Sequence, residues 1–594
     1  MSRTQTTYAR PSSIYNRSKS SWRQHAIAWV LVLLPIILFG LIWQHYAVNV
    51  PKWDDHALRA FLYYSDQETT LLGKLYQLFK QHNEHRIVYD RLITALDYGL
   101  FGKLNYKHLM VVGNLSLVGL LVVFIAILRQ AGRSLYYAVP IALFLFNLSQ
   151  WENMYWGMAA LQNFSVVLWV VGAFYLLSYT SRTALAIVLA LLATLTSGNG
   201  LMVWPLGFLL LLLQPVTAKQ GVFNRLSAPL VVWTISAIIV VGLYFFHFEK
   251  PGGINYVRPS ALALVKGWFA VIGAAAEALP FGQPLRNSVL LGGLLTCITL
   301  VSIGWELLSH QLVISRLLRQ WFARNSSLSP NRTSLPSITL FFWSTAAFIL
   351  GTAAIVAFAR TGFGADLLIT SRYKMYSLTL LALLYSYGLV VSGLQFQAWL
   401  GGVGYVAGLL MGWLSYYSFL NETIWWRDWL LTNQFNWTYT TNRPVAQLDP
   451  VTQQYTQPEP AFYDQTASAL FKFKEQQLVP LTVTAQPTNF EISNDQSPAR
   501  PFDNGGNYLM ARSDKRIYLF PVWQNQVSPI QARFIPSSSF TAGFKADIPK
   551  ADLKADTYKL YVLSVEGDGQ QRVYPTNQTI TSQGQPADTT KKNW

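Results

Sequence analysis

The sequence predicts an α-helical polytopic membrane protein of about eleven transmembrane helices, with a small antiparallel β domain outside the membrane. Three observations carry this. Of 594 residues, 52% are hydrophobic and only 12% charged, about half the charged share of a soluble domain. Apolar runs recur at the length of about 20 residues that crosses a hydrocarbon core of roughly 30 Å. After residue 420 the chain turns Gln-, Asn-, Thr- and Pro-rich and carries short alternating stretches instead.

Residues 1–25 are polar and basic (Arg3, Arg10, Arg17, Lys19, Arg23) and read as a cytoplasmic leader. A membrane domain follows over 26–420, opening with the uncleaved anchor "HAIAWVLVLLPIILFGLIWQHYAV". Further spans are expected near 107–128, 135–149, 162–180, 183–197, 200–214, 227–247, 288–308, 337–359, 375–394 and 398–419. The segment 261–287 reads as re-entrant or interfacial, because a crossing there would turn the Arg-rich 309–336 outward, against the charge rule. The first outer loop, 48–106, has apolar residues at helical spacing, as in helices lying along an interface. Beyond it come a linker over 421–480, with a helix in "AFYDQTASALFKFKEQQL", a β domain over 481–580 and a tail over 581–594.

The net charge of +17 does not point to nucleic acid. Residues 421–594 hold 16 basic and 16 acidic side chains, and 1–420 hold 29 and 12. Much of that excess sits between spans, at Arg129 and Arg133, Lys219 and Arg225, and Arg316, Arg319 and Arg324. This is the positive-inside pattern, which records the orientation of a membrane protein rather than a polyanionic partner. The single cysteine, Cys297, cannot form an intrachain disulfide. With the amino terminus inside, eleven of the twelve acids of 1–420 fall outside, Glu306 being the exception.

Four clusters could carry chemistry. In "WDDHALR", Asp54 and Asp55 follow the first span; two carboxylates sharing one site push one pKa up, which suits a general base. The alternative is that Asp55 only pairs with Arg59 one turn later. In "QHNEHRIVYDRL", a helix would bring His82 and His85 to one face. No third ligand has a recognisable spacing, so no metal ligand is assigned. There Arg86 could grip a phosphate by its guanidinium fork while Glu84 orients a neighbour and His85 joins the substrate site; the alternative is the polar face of an interfacial helix with Glu84 and Arg86 solvated. "LSQWENMYWGMAALQN" puts Glu152 at the rim of the bundle, where a carboxylate needs a partner, and offers Gln162 to sugar hydroxyls. "ARTGFGADLLITSRYKMYS" sets Arg360, Arg372, Tyr373 and Lys374 around an outer loop, where a lipid phosphate would account for bases that defy the charge rule; snorkelling to headgroups is the alternative.

The acidic pair after the first span, in a long outer loop with interfacial helices, resembles the GT-C superfamily of integral membrane glycosyltransferases. "HNEHR", "QWEN..W" and "SRY" are also similar to bacterial membrane proteins loosely labelled glycosyltransferases. The resemblance covers roughly 26–420 and not the carboxyl-terminal domain. It implies inverting transfer of a sugar from a polyprenyl-phosphate donor to an extracytoplasmic glycan, lipid or protein acceptor. Asp54 or Asp55 would be the general base; Arg86, Arg372 and Lys374 would hold the leaving phosphate. No cofactor follows, although some relatives use a divalent metal. The rival readings are a transporter or flippase, a glycan polymerase or ligase, and a purely scaffolding membrane protein whose outer β domain binds partners; membrane lipids are expected partners in each.

Overall fold

The computed structural model describes residues 22–214, 227–249, 259–310, 335–447, most of 449–498, 505–529, 539–566 and 570–584. The expected leader, the loop arginines 316, 319 and 324, Lys219 and Arg225, half of the helix expected over 461–478 and most of the tail lie outside the described residues.

Among the described residues, eight helices are long and apolar enough to cross a bilayer, and the protein is a multi-pass membrane protein by that criterion. They are Trp22–Tyr46 (α1), Tyr106–Gln130, Gly157–Tyr179, Ala228–Phe245, Pro284–Ser309, Ser337–Phe363, Asp366–Val391 and Leu394–Thr438. In α1, Ala28, Val32, Pro35 and Phe39 form one buried stripe, while Val30, Leu33, Leu34, Ile37 and Leu41 stay exposed. A helix apolar on every side with only one side packed needs an apolar solvent on the rest.

The expected count is only partly met. Two of the remaining stretches are shorter apolar helices, Thr183–Thr196 and Gly198–Leu212. The third, over 135–149, is a 3-10 turn and the eight-residue helix Ala138–Leu145. It stops because Asn147 turns back, donating to the Phe144 carbonyl at 2.8 Å, while its Oδ1 accepts from Ser149 N at 3.0 Å. Segment 261–287 holds the helix Ala261–Ile272 and a 3-10 turn, Ala274–Ala278. Gly273 and Gly292 let its backbone touch that of Pro284–Ser309, since a Cβ on Gly292 would meet the Phe269 carbonyl. Glu306 is buried and accepts from Tyr387 Oη at 2.6 Å and Thr339 Oγ1 at 2.9 Å.

The first loop folds as α2 (Asp55–Gln67), α3 (Leu71–Phe79) and α4 (Val88–Phe101). In α3 no residue is buried, and Leu71, Leu72 and Tyr76 are exposed, as an interfacial helix requires.

The long helix Leu394–Thr438 crosses the expected boundary at 420 without a break. Its far end carries the β domain, two four-stranded antiparallel sheets in the orders β1-β2-β6-β5 and β4-β3-β7-β8. The strands are β1 Thr482–Ala485, β2 Asn489–Asn494, β3 Gly506–Arg512, β4 Ile517–Pro521, β5 Trp523–Gln526, β6 Phe540–Pro549, β7 Asp556–Val565 and β8 Gln571–Ser582. Leu509 and Ala511 of β3 pack between the sheets, while Tyr508 and Met510 join the core of the helices. Trp425 stacks on Trp523 with centroids 4.7 Å apart. The polar residues that end the apolar run are the docking groups: Asn421 Nδ2 donates to the Gln524 carbonyl at 2.8 Å, and Tyr508 Oη donates to Asp428 at 3.0 Å.

Candidate functional site

A cavity of about 1280 Å³ opens between α2, the turn after α3, the end of the long helix and the loops of the β domain. Its wall holds seven lysines and arginines (Lys52, Arg59, Lys80, Arg91, Arg372, Arg516, Lys554) and two aspartates, Asp54 and Asp552. So cationic a wall favours an anion. Aromatic surface from Trp53, Trp156, Trp429 and Trp437 lies between the charges.

The acidic pair sits where the chain leaves α1 and starts α2. Trp53 takes a left-handed backbone, with φ of 40°, closing a turn in which Asp55 N donates to the Lys52 carbonyl at 2.8 Å. A bulky residue there is strained and needs the surroundings to hold it. Asp55 does the holding. It is 0% exposed, its Oδ2 accepts from Lys52 N at 3.1 Å, and its Oδ1 accepts from Met158 N at 2.8 Å. Burial pushes its pKa up to about 7, against two backbone hydrogen bonds that pull it down.

Asp54 does something else. It precedes the helix with no capping bond from its side chain, lines the cavity, and lies 3.6 Å from His82 Nε2. The two carboxylates therefore occupy different sites. Nor does Asp55 pair with Arg59, whose guanidinium donates to Thr452 Oγ1.

The second cluster is a tight turn rather than a helix. His82 and His85 exchange backbone hydrogen bonds of 2.8 and 2.9 Å around Asn83, whose φ is 49°. No group of three His, Cys, Asp or Glu that could hold a metal occurs among the described residues. His85 Nδ1 accepts from Gly198 N at 3.2 Å, and burial depresses its pKa, keeping the ring neutral. Arg86 does not face the cavity. Its Nε donates to the Tyr244 carbonyl at 2.7 Å, and its two terminal nitrogens donate to the carbonyls of Phe79 and Phe246 at 2.6 and 2.5 Å. It closes the end of Ala228–Phe245, where carbonyls lack helical partners. Glu84 pairs with Arg360 at 3.6 Å, away from the cavity wall.

Of the remaining nominees, Arg372 reaches the cavity. Its Nε lies 3.4 Å from Glu152 Oε2, and its guanidinium sits 5.5 Å from the Trp156 ring centre. Glu152 is buried behind it and finds in Arg372 the partner a rim carboxylate needs. Lys374 is buried against Glu277 and Phe419. Tyr373 and Gln162 lie off the cavity wall, Gln162 within a five-residue π-helical turn, Ala160–Phe164.

Sequence reasoning passed over Lys52, Arg91, Trp429, Trp437 and Arg516. The interfacial-helix pattern hides Arg91, which lines the cavity and donates to the carbonyls of Leu78 and Lys80. Trp429, Trp437 and Arg516 lie beyond residue 420, where only tertiary contact joins them to the first loop. Lys52, two residues before the acidic pair, was the one legible signal.

No family model matches the chain, and no curated protein or solved structure matches it.

Proposed function

We propose that the protein is an inverting membrane glycosyltransferase that takes a sugar from a polyprenyl-phosphate carrier at the face bearing the β domain. The observation that carries this reading is the position of Asp54: a carboxylate open to a large cationic cavity that Arg372 also lines.

In the proposed reaction an acceptor hydroxyl attacks the anomeric carbon of the donor sugar. Asp54 takes the hydroxyl proton as general base. The bond from that carbon to the phosphate oxygen breaks, and its electron pair leaves with the polyprenyl phosphate. Arg372, steadied by Glu152, meets the charge that develops there, an electrostatic contribution largest in the transition state. The sequence's positive-inside pattern supports a bacterial inner membrane, with this face extracytoplasmic and a glycan, lipid or protein as acceptor.

The test is release of polyprenyl phosphate from a polyprenyl-phosphate hexose by the protein in nanodiscs, with cell-envelope glycan supplied as acceptor. Wild type is expected to release it, and Asp54→Asn to lose at least about 100-fold. A folded Asp54→Asn variant that transfers at the wild-type rate overturns the reading. Movement of the lipid-linked sugar between leaflets, with no new glycosidic bond, assigns a flippase instead.

A further inference from the structure

We infer that Lys52 and Arg372 form one phosphate-binding floor in the cavity, built on a box of tryptophans, which takes a phosphate monoester anion. The inference deepens the reading above, in which that anion is the polyprenyl phosphate released from the phosphodiester donor, and rests on it.

Lys52 is 4% exposed. Its Nζ lies 3.0 Å from the ring centre of Trp426, 3.8 Å from Trp53, 4.5 Å from Trp429 and 6.0 Å from Trp156. Indole faces attract an ammonium but accept none of its three N–H groups in the way an oxygen does. Among the described residues Lys52 Nζ has no hydrogen-bond acceptor and no carboxylate at ion-pair distance. A desolvated ammonium left like this costs free energy unless a ligand supplies oxygen, and Lys52 opens on the cavity.

Arg372 approaches the same Trp156 ring, so two cations share one indole. The charges that act on the ammonium are Glu152 and Asp55, which favour it, and Arg372, which opposes it; burial and Arg372 together bring its pKa down to about 7. Asp54 faces the same cavity. Arg427 and Asp428, between Trp426 and Trp429 on the long helix, pair with each other at 3.2 Å. The oxygens of a phosphate monoester dianion lodged between Lys52 and Arg372 would relieve their repulsion and satisfy the ammonium donors. A neutral hydroxyl would do only the second.

The experiment is binding without acceptor, in phosphatidylcholine nanodiscs, of farnesyl monophosphate, farnesol and inorganic phosphate. Farnesyl monophosphate is expected to bind wild type at least tenfold more tightly than farnesol, and Lys52→Met to lose at least tenfold of that affinity. Inorganic phosphate binding equally well, and equally sensitive to Lys52→Met, supports the floor and makes its ligand a free phosphate rather than a lipid-borne one. Unchanged farnesyl monophosphate affinity in folded Lys52→Met overturns the inference.

Acylation of wild-type Lys52 by an N-hydroxysuccinimide ester, read by mass spectrometry, covers the case in which that variant does not fold. Protection by farnesyl monophosphate but not by farnesol is expected; equal acylation with and without it overturns the site. Neither readout involves transfer. A floor that binds phosphate while Asp54→Asn retains transfer sinks the catalytic reading alone, and the reverse sinks only the floor.

Discussion

Asp55 Oδ1 accepts from Met158 N at 2.8 Å, and this bond ties the start of α2 to the helix Gly157–Tyr179 more than a hundred residues on. Its neighbour Asp54 is left facing the cavity. The two carboxylates should therefore fail in different ways. Asp55→Asn turns an amide N–H₂ toward a backbone N–H, so it is expected to lose about 1–3 kcal/mol of stability. Asp54→Asn should leave the melting temperature within about 2 °C of wild type while transfer disappears. Thermal unfolding in detergent, run beside the transfer assay, separates them; equal melting temperatures for both variants would contradict this division.

Asp55 also gives a signed pH dependence. Its pKa rises from 3.8 to about 7 on folding, so between those values the folded protein binds the extra proton. The contribution is fully present below about pH 4 and is lost as pH rises through 7. Wild type minus Asp55→Asn, measured as unfolding free energy from pH 4 to 8, should fall by a few kcal/mol across that range. A flat difference curve would show that the carboxylate ionises as freely in the fold as in the unfolded chain.

Arg86, nominated for phosphate, is expected to matter for stability instead. Arg86→Ala frees the carbonyls of Tyr244, Phe79 and Phe246 and should cost about 2–4 kcal/mol. Affinity for farnesyl monophosphate in the protein that remains folded should stay within about twofold. A tenfold loss of affinity at unchanged stability would return Arg86 to the binding site.

Asn436 should control how firmly the β domain is held. Its amide bonds both backbone groups of Leu519, donating to the carbonyl and accepting from the N–H, each at 2.9 Å. Leu519 lies on β4, an edge strand of its sheet, whose outer backbone groups would otherwise want another strand. Asn436→Ala is expected to cost about 1–3 kcal/mol and to speed proteolytic cleavage between residues 439 and 480. Unaltered cleavage would mean that the Trp425–Trp523 stack suffices.

Local periods of hydrophobicity make legible the multi-pass helical class, most of the length of the eight long helices, the helical character of the first loop and a β region after residue 480. β3 carries no such period because both its faces are buried, Tyr508 and Met510 on the helices and Leu509 and Ala511 between the sheets. A strand buried twice shows no alternation. The boundary at 420 was misplaced for a related reason: polarity marks the end of contact with lipid, and here the helix goes on into contact with protein.

For the site, composition brought the acidic pair and Arg372 to notice but could not divide their labour. Whether a carboxylate is a strut or a base depends on which distant N–H it meets, and Met158 is a matter of packing. The tryptophan box about Lys52 draws Trp53, Trp156, Trp426 and Trp429 from three separate parts of the chain. Only the tertiary structure joins them, because an aromatic residue at a membrane rim looks the same in sequence whether it faces lipid or a buried charge.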